Sequence, residues 1–124
     1  MRTTQALLLA IIVLSALAAL PERQQISADI GPCTAQFTVT DAAHKPVYDA
    51  KIHTVIRYGF MSKRKMELEI GTDADGKAKF LGLPHEVKKP LEFGVSYKEL
   101  MTTVTLDPAV NCQAVFDVVL APKR

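Results

Sequence analysis

The run Arg57-Tyr58-Gly59-Phe60-Met61-Ser62-Lys63-Arg64-Lys65-Met66 sets two apolar side chains, Phe60 and Met61, against the cations Lys63, Arg64 and Lys65. Residues of these types can rest on an anionic lipid surface or dock in a partner's groove, the apolar groups being covered while the cations meet negative charge. A second reading folds Phe60 and Met61 back over the open end of the domain and leaves the charges to solvate the loop. Lys88 and Lys89, just before Pro90, join the same basic end if the loops converge. The candidate interaction surface is therefore Phe60, Met61, Lys63, Arg64 and Lys65.

Other chemistry finds less support. Asp73-Ala74-Asp75-Gly76 resembles part of a calcium loop, in which alternate carboxylates and a glycine wrap an oxygen-ligated ion. With Gly76 at the glycine position of that loop, Gly71 and Gly82 fall where its terminal carboxylates belong, so the segment reads as a turn. His44, His53 and His85 lie on separate turns and strands without local ligand spacing, and no metal ligands are assigned. Ser62 and Ser96 stand outside any G-x-S-x-G context. The chain has no Trp, and Tyr48 is the one tyrosine placed outside the core, which offers little for stacking on sugars. No catalytic residue and no cofactor are expected, and the chain reads as not an enzyme.

The elements that must position the basic run follow from length and patterning. At 124 residues the chain holds a single domain. Residues 1–20 carry one cation, Arg2, before an apolar run broken only by Ser15, which reads as an export signal or a membrane anchor. As a helix, that run of about 15 residues rises about 22 Å, short of a hydrocarbon core about 30 Å thick. Ala16-Leu17-Ala18 fits a cleavage site, and both outcomes stay open. The net charge of +2 is too small for a dedicated nucleic-acid binder. Cys33 and Cys112, just before the first and last expected strands, read in an exported chain as a disulfide closing a loop of about 80 residues, worth at most about 4.5 kcal/mol in the chain-entropy model.

Residues 21–33 read as a polar linker. Period-two alternation then predicts strands near 35–41, 49–59, 64–72, 77–82, 91–98, 101–107 and 112–121, with a short tail at 122–124. Inward positions are Phe37 and Val39; Ile52, Ile56 and Tyr58; Met66, Leu68 and Ile70; Phe80; Leu91, Phe93, Val95 and Tyr97; Val104 and Leu106; and Phe116, Val118 and Leu120. Lys51, His53, Arg57, Lys65, Glu67, Glu69, Glu92 and Lys98 fall on the wet faces. The fold class is all-β: a seven-stranded antiparallel Greek-key sandwich behind an N-terminal apolar helix.

Two stretches share a grammar of strand, polar turn and strand: Phe37-Thr38-Val39-Thr40-Asp41 through Lys45-Pro46-Val47 to Ile52, and Thr72-Asp73-Ala74-Asp75-Gly76-Lys77-Ala78-Lys79-Phe80 to Leu83-Pro84. Together they resemble the carboxypeptidase regulatory-like domain, a transthyretin-like sandwich, over residues 34–121. His44 departs from the pattern, standing where that family usually has Gly. The resemblance implies an accessory or interaction module in the cell envelope, with a protein partner, no nucleic acid, and membrane association through residues 1–20 if they are retained. The hydrolase branch of the same fold ends in Tyr-Arg-Gly-Ser, whereas this chain ends Ala121-Pro122-Lys123-Arg124. Periplasmic or membrane-anchored placement follows, as does an alternative role as an anchored subunit of a larger envelope complex. Oligomeric state is not specified by any residue.

Overall fold

Alternation decides which side chains each strand buries. The computed structural model describes residues 24–122, so the apolar helix expected over residues 1–20 lies outside the described residues. The strands are β1 (Gln24–Ser27), β2 (Cys33–Asp41), β3 (Lys51–Tyr58), β4 (Arg64–Gly71), β5 (Lys77–Leu83), β6 (Leu91–Tyr97), β7 (Leu100–Leu106) and β8 (Gln113–Leu120), with a 3-10 turn at Phe60–Ser62. In β2, Cys33, Ala35, Phe37 and Val39 are buried while the threonines between them are half-exposed. β3 buries Ile52, Thr54 and Ile56 and turns Lys51, His53, Val55 and Arg57 outward.

Two four-stranded sheets result, ordered β1-β5-β2-β8 and β4-β3-β6-β7. Their inner faces meet through phenylalanines. Phe37 lies 5.7 Å from Phe80, 5.1 Å from Phe93 and 5.1 Å from Phe116 between ring centroids, and Phe80 lies 5.0 Å from Phe93. The Thr54 hydroxyl, also buried, donates to the Glu92 carbonyl at 2.8 Å and ties β3 to β6.

The expected seven-stranded antiparallel sandwich needs two corrections. First, the described residues form eight strands. Residues 24–27, read as linker, form β1, which pairs with β5 from Gln24↔Ala78 to Ser27↔Leu81. Ile26, Ala28 and Ile30 pack on the core at alternate positions, a signal too short to outweigh the polar residues around it. Second, the first sheet is mixed. β1–β5 and β2–β8 run parallel while β2–β5 runs antiparallel, and alternation carries no information about strand direction.

Cys33 and Cys112 form a disulfide across a sequence separation of 79, with Cα atoms 4.6 Å apart. It closes the parallel β2–β8 pair where both strands begin, beside the bond from Thr34 N–H to the Cys112 carbonyl at 2.7 Å.

The opposite end of the sandwich is built by aspartate turns. Asp41 Oδ1 accepts from Ala43 N–H at 2.8 Å and Lys45 N–H at 3.0 Å, and His44 takes a left-handed φ of 64°. Asp73 Oδ1 accepts from Asp75 and Lys77 N–H, both at 2.9 Å. Gly76 follows with φ 75°, in a place where a Cβ would meet the Val39 carbonyl oxygen. Between these turns the buried Thr72 hydroxyl donates to the Val47 carbonyl at 2.6 Å and accepts from Ala50 N–H at 2.9 Å.

Thr72→Val keeps the shape and removes both bonds, leaving the Ala50 N–H buried without its acceptor. Urea unfolding of the variant is expected to show a loss of about 1–3 kcal/mol. The Lys45 N–H bond, foremost, holds the Asp41 carboxyl below its ordinary 3.8, helped by the Ala43 N–H bond against slight desolvation. The folded value is the lower one, so the turn's contribution is complete above pH 3.8 and fades as pH falls through the folded value. Carboxyl-carbon NMR titration of Asp41 should give a midpoint below that of an ordinary aspartate.

Candidate interaction surface

β3 leaves the sheet at Tyr58 and β4 re-enters at Arg64, and the five residues between them make an unusual turn. Gly59 takes φ 80° and ψ −170°, a region open essentially to glycine alone. Met61 (φ 57°) and Ser62 (φ 55°) are both left-handed, at a cost of about 1–2 kcal/mol each for L residues. Two backbone bonds hold the turn: Ser62 N–H to the Gly59 carbonyl at 3.0 Å and Lys63 N–H to the Phe60 carbonyl at 3.3 Å.

The turn aims its apolar residues at solvent. Phe60 is 84% exposed and Met61 61%, so neither covers the end of the sandwich. Of the two sequence readings, the folded-back one does not hold.

Lys63, Arg64 and Lys65 are exposed beside this tip. Lys65 stands directly across from Arg57 on the outer face of the second sheet, a like-charge pair that costs stability in a sheet. The loops do converge. Lys88 and Lys89 line, together with Arg57 and Ser62, a groove of 840 Å³. Its floor is Gly94 in β6, with His53 and Val55 of β3 on one side and Met101 and Thr103 of β7 on the other. A smaller hollow of 520 Å³ adjoins it, sharing Arg57, Ser62, Val87 and Lys88 and reaching Pro84 and His85. The ion pair among the described residues is Lys51–Asp49 at 2.9 Å, at the far end of β3. Arg57, Lys63, Arg64, Lys65, Lys88 and Lys89 form no ion pair among the described residues, while Glu92 lines the groove and Glu86 the smaller hollow.

The remaining sequence candidates scatter. His44 sits in the Asp41 turn, His53 on the groove wall and His85 in the smaller hollow. Among the described residues no three His, Cys, Asp or Glu side chains come close enough to hold a metal ion. Ser62 and His85 share the smaller hollow without a hydrogen bond between them among the described residues, and Ser96 lies across from Lys51 and Met101. Tyr48 is exposed near the aspartate turns. Sequence reasoning missed the groove itself. Its signal was the outward set Glu92, Gly94 on one strand and Met101, Thr103, Thr105 on the next, with a glycine in the middle of the face.

No protein-family model matches this chain, and no curated protein does. Solved structures match at the level of fold. Catechol 1,2-dioxygenase from Acinetobacter sp. ADP1 aligns at 14% identity and TM-score 0.52, over 86% of this chain and 60% of that one. A variant of the Acinetobacter radioresistens enzyme aligns at 16% and 0.50, over 86% and 60%. Chlorocatechol 1,2-dioxygenase from Pseudomonas putida aligns at 11% and 0.50, over 85% and 69%. This chain thus spans about 60% of the length of the first two.

These matches correct two expectations. The resemblance to carboxypeptidase regulatory-like domains is overturned, since these structural matches are catechol dioxygenases. The residues that carried it, Asp41 with Pro46-Val47 and Asp73 with Gly76, encode turn chemistry that any sandwich with these corners can use. The expectation that the chain is not an enzyme, drawn from the absence of nucleophile and ligand patterns as well as from that kinship, is contradicted too, because the structural neighbours are enzymes.

Gly59 is required for its backbone rather than for space, because a Cβ there would meet only the flexible Arg64 side chain, at 3.5 Å. Gly59→Ala is expected to cost about 1–3 kcal/mol in chemical denaturation and to shift the amide resonances of residues 60–63.

Proposed function

We propose that this chain is an exported β-sandwich that works by contact, docking on a protein partner in the cell envelope through its basic end. The observation that carries the proposal is the strained turn that holds Phe60 and Met61 in solvent among Lys63, Arg64 and Lys65. Backbone strain persists where the surrounding structure imposes it, and such strain clusters at functional sites. Here the two apolar side chains gain no burial within the domain, so a covering surface is the natural source of compensation. The Cys33–Cys112 disulfide fits an oxidising, exported location.

Strand geometry favours a protein over the bilayer as that surface in an anchored chain. Gln24 pairs with Ala78, close to the Asp73 turn and at the end opposite the tip. The eight residues of β3 separate the two ends by about 26 Å. Residues 21–23 reach at most about 10 Å. A chain retained through residues 1–20 would therefore present its tip away from its own anchor, toward a partner. An anchored subunit of an envelope complex uses the same surface.

The test is chemical cross-linking of the full chain in its native envelope, comparing wild type with Lys63→Glu/Arg64→Glu and with Phe60→Ser/Met61→Ser. Loss of about tenfold or more in the cross-linked species is expected for both, as for central anchors and their charged neighbours. Unchanged association would overturn the contact reading.

A further inference from the structure

We infer that the groove over Gly94 receives an extended acidic segment of the partner protein, lying along β6 with its carboxylates toward Arg57, Lys88 and Lys89. The inference rests on the contact reading above and names the partner's chemistry at that end.

Width comes first. β3 and β7 flank β6 in the sheet, so the walls stand two strand spacings apart, about 10 Å, room for one extended chain. At the floor, the nearest atoms to a Cβ built on Gly94 are Met101 Cε at 3.7 Å and the His53 carbonyl oxygen at 4.0 Å, so the site is open rather than packed. The volume of 840 Å³ lies within the range of about 300–1,000 Å³ typical of ligand clefts.

Charge sets the polarity of the occupant. Arg57, Lys88 and Lys89 line the groove against one carboxylate, Glu92, and Lys65 adds a cation across from Arg57. Toward the other end the balance reverses, because Glu69 lies opposite His53 and Glu67 opposite Val55. The positive field is therefore confined to the end next to the tip.

Between these ends His53 and Thr103 flank Gly94, the exposed Met101 reaches over it from β7, and Val55 lines the β3 wall nearer Arg57, level with Glu92, so that Val55 and Met101 offer apolar surface on a diagonal of the groove. Val55 precedes Arg57 by two residues, about 7 Å along the strand, which is the spacing of alternate side chains in an extended chain. The matching segment thus reads acidic, any residue, apolar. β6 is paired with β7 along its length and with β3 from Phe93 to Ser96, so over Gly94 the occupant is held by side chains and not by adding a strand to the sheet.

The probe is the blocked hexapeptide Glu-Glu-Ala-Leu-Ala-Thr, with Lys-Lys-Ala-Leu-Ala-Thr as control, titrated into the full chain and followed by amide NMR. Shifts confined to Val55, Gly94, Met101 and Lys88 are expected with the acidic peptide alone. Binding should weaken about tenfold or more in Lys88→Glu/Lys89→Glu, which reverses the field, and in Gly94→Leu, which fills the floor. Absence of groove shifts, indifference to Gly94→Leu, or binding only to phosphatidylglycerol vesicles would each overturn the inference. If the peptide fails while the tip variants still abolish envelope association, the groove assignment falls and the contact reading stands. If the peptide binds as expected while the tip variants leave association intact, the contact reading falls and the groove assignment stands.

Discussion

Phe37 touches three other phenylalanine rings, and the placement of four strands follows from that contact. Phe80 comes from β5, Phe93 from β6 and Phe116 from β8, so one side chain on β2 joins its own sheet to the facing one. Each buried ring contributes about 1.5–3 kcal/mol, with a further increment of about 0.5–1.5 kcal/mol for favourable ring pairs. In a chain without tryptophan this cluster supplies the large apolar volume of the core. It also fixes register: Phe37 is paired with Phe116, and a slip of one residue would place Val115 beside it and turn Phe116 toward water. The disulfide at Cys33 and Cys112 lies at the start of that same pair and limits such slippage.

The two ends of the sandwich use their charges in opposite ways. At one end, Asp41 and Asp73 direct a carboxylate oxygen back onto backbone N–H groups, and Asp49 is paired with Lys51. Those carboxylates build corners. At the other end, the cations make no comparable bonds within the described residues, and Lys65 stands across from Arg57 despite the repulsion. Local stability does not explain the second arrangement, whereas it fully accounts for the first. The asymmetry is the reason for placing function at the basic end and structure at the acidic one.

Much of this was legible from alternation. The inward set Phe37, Val39, Ile52, Ile56, Leu68, Phe80, Phe93, Val95 and Leu120 is buried, and Lys51, His53, Arg57, Glu67 and Glu92 are exposed, because side-chain period is local information. Strand direction and small strands are not local. β8 runs parallel to β2 because of where the chain returns after 79 residues, and β1 exists because β5 offers an edge to Ile26. Small core residues such as Ala28, Ala50 and Ala114 carried too weak a hydropathy signal to be placed. The basic run was visible as composition, but the exposure of Phe60 depended on left-handed backbone at Met61 and Ser62, residue types that give no hint of it. The kinship drawn from the turn motifs failed for a related reason: an aspartate carboxylate bonded to backbone N–H groups ahead of a left-handed residue solves a corner locally and carries no information about the rest of the fold.

Tip and groove form one surface because they share residues. Ser62 lies in the strained turn and lines both hollows, and Arg57, next to last in β3, lines both as well. A change in the backbone at Gly59 therefore moves an apolar tip and a groove wall together. Conversely, a partner that fills the groove leans on the turn from its inner side, and one that covers Phe60 leans on it from outside. Two backbone bonds, from Ser62 N–H to the Gly59 carbonyl and from Lys63 N–H to the Phe60 carbonyl, hold Met61 at φ 57° and Ser62 at φ 55° in the segment that joins tip and groove.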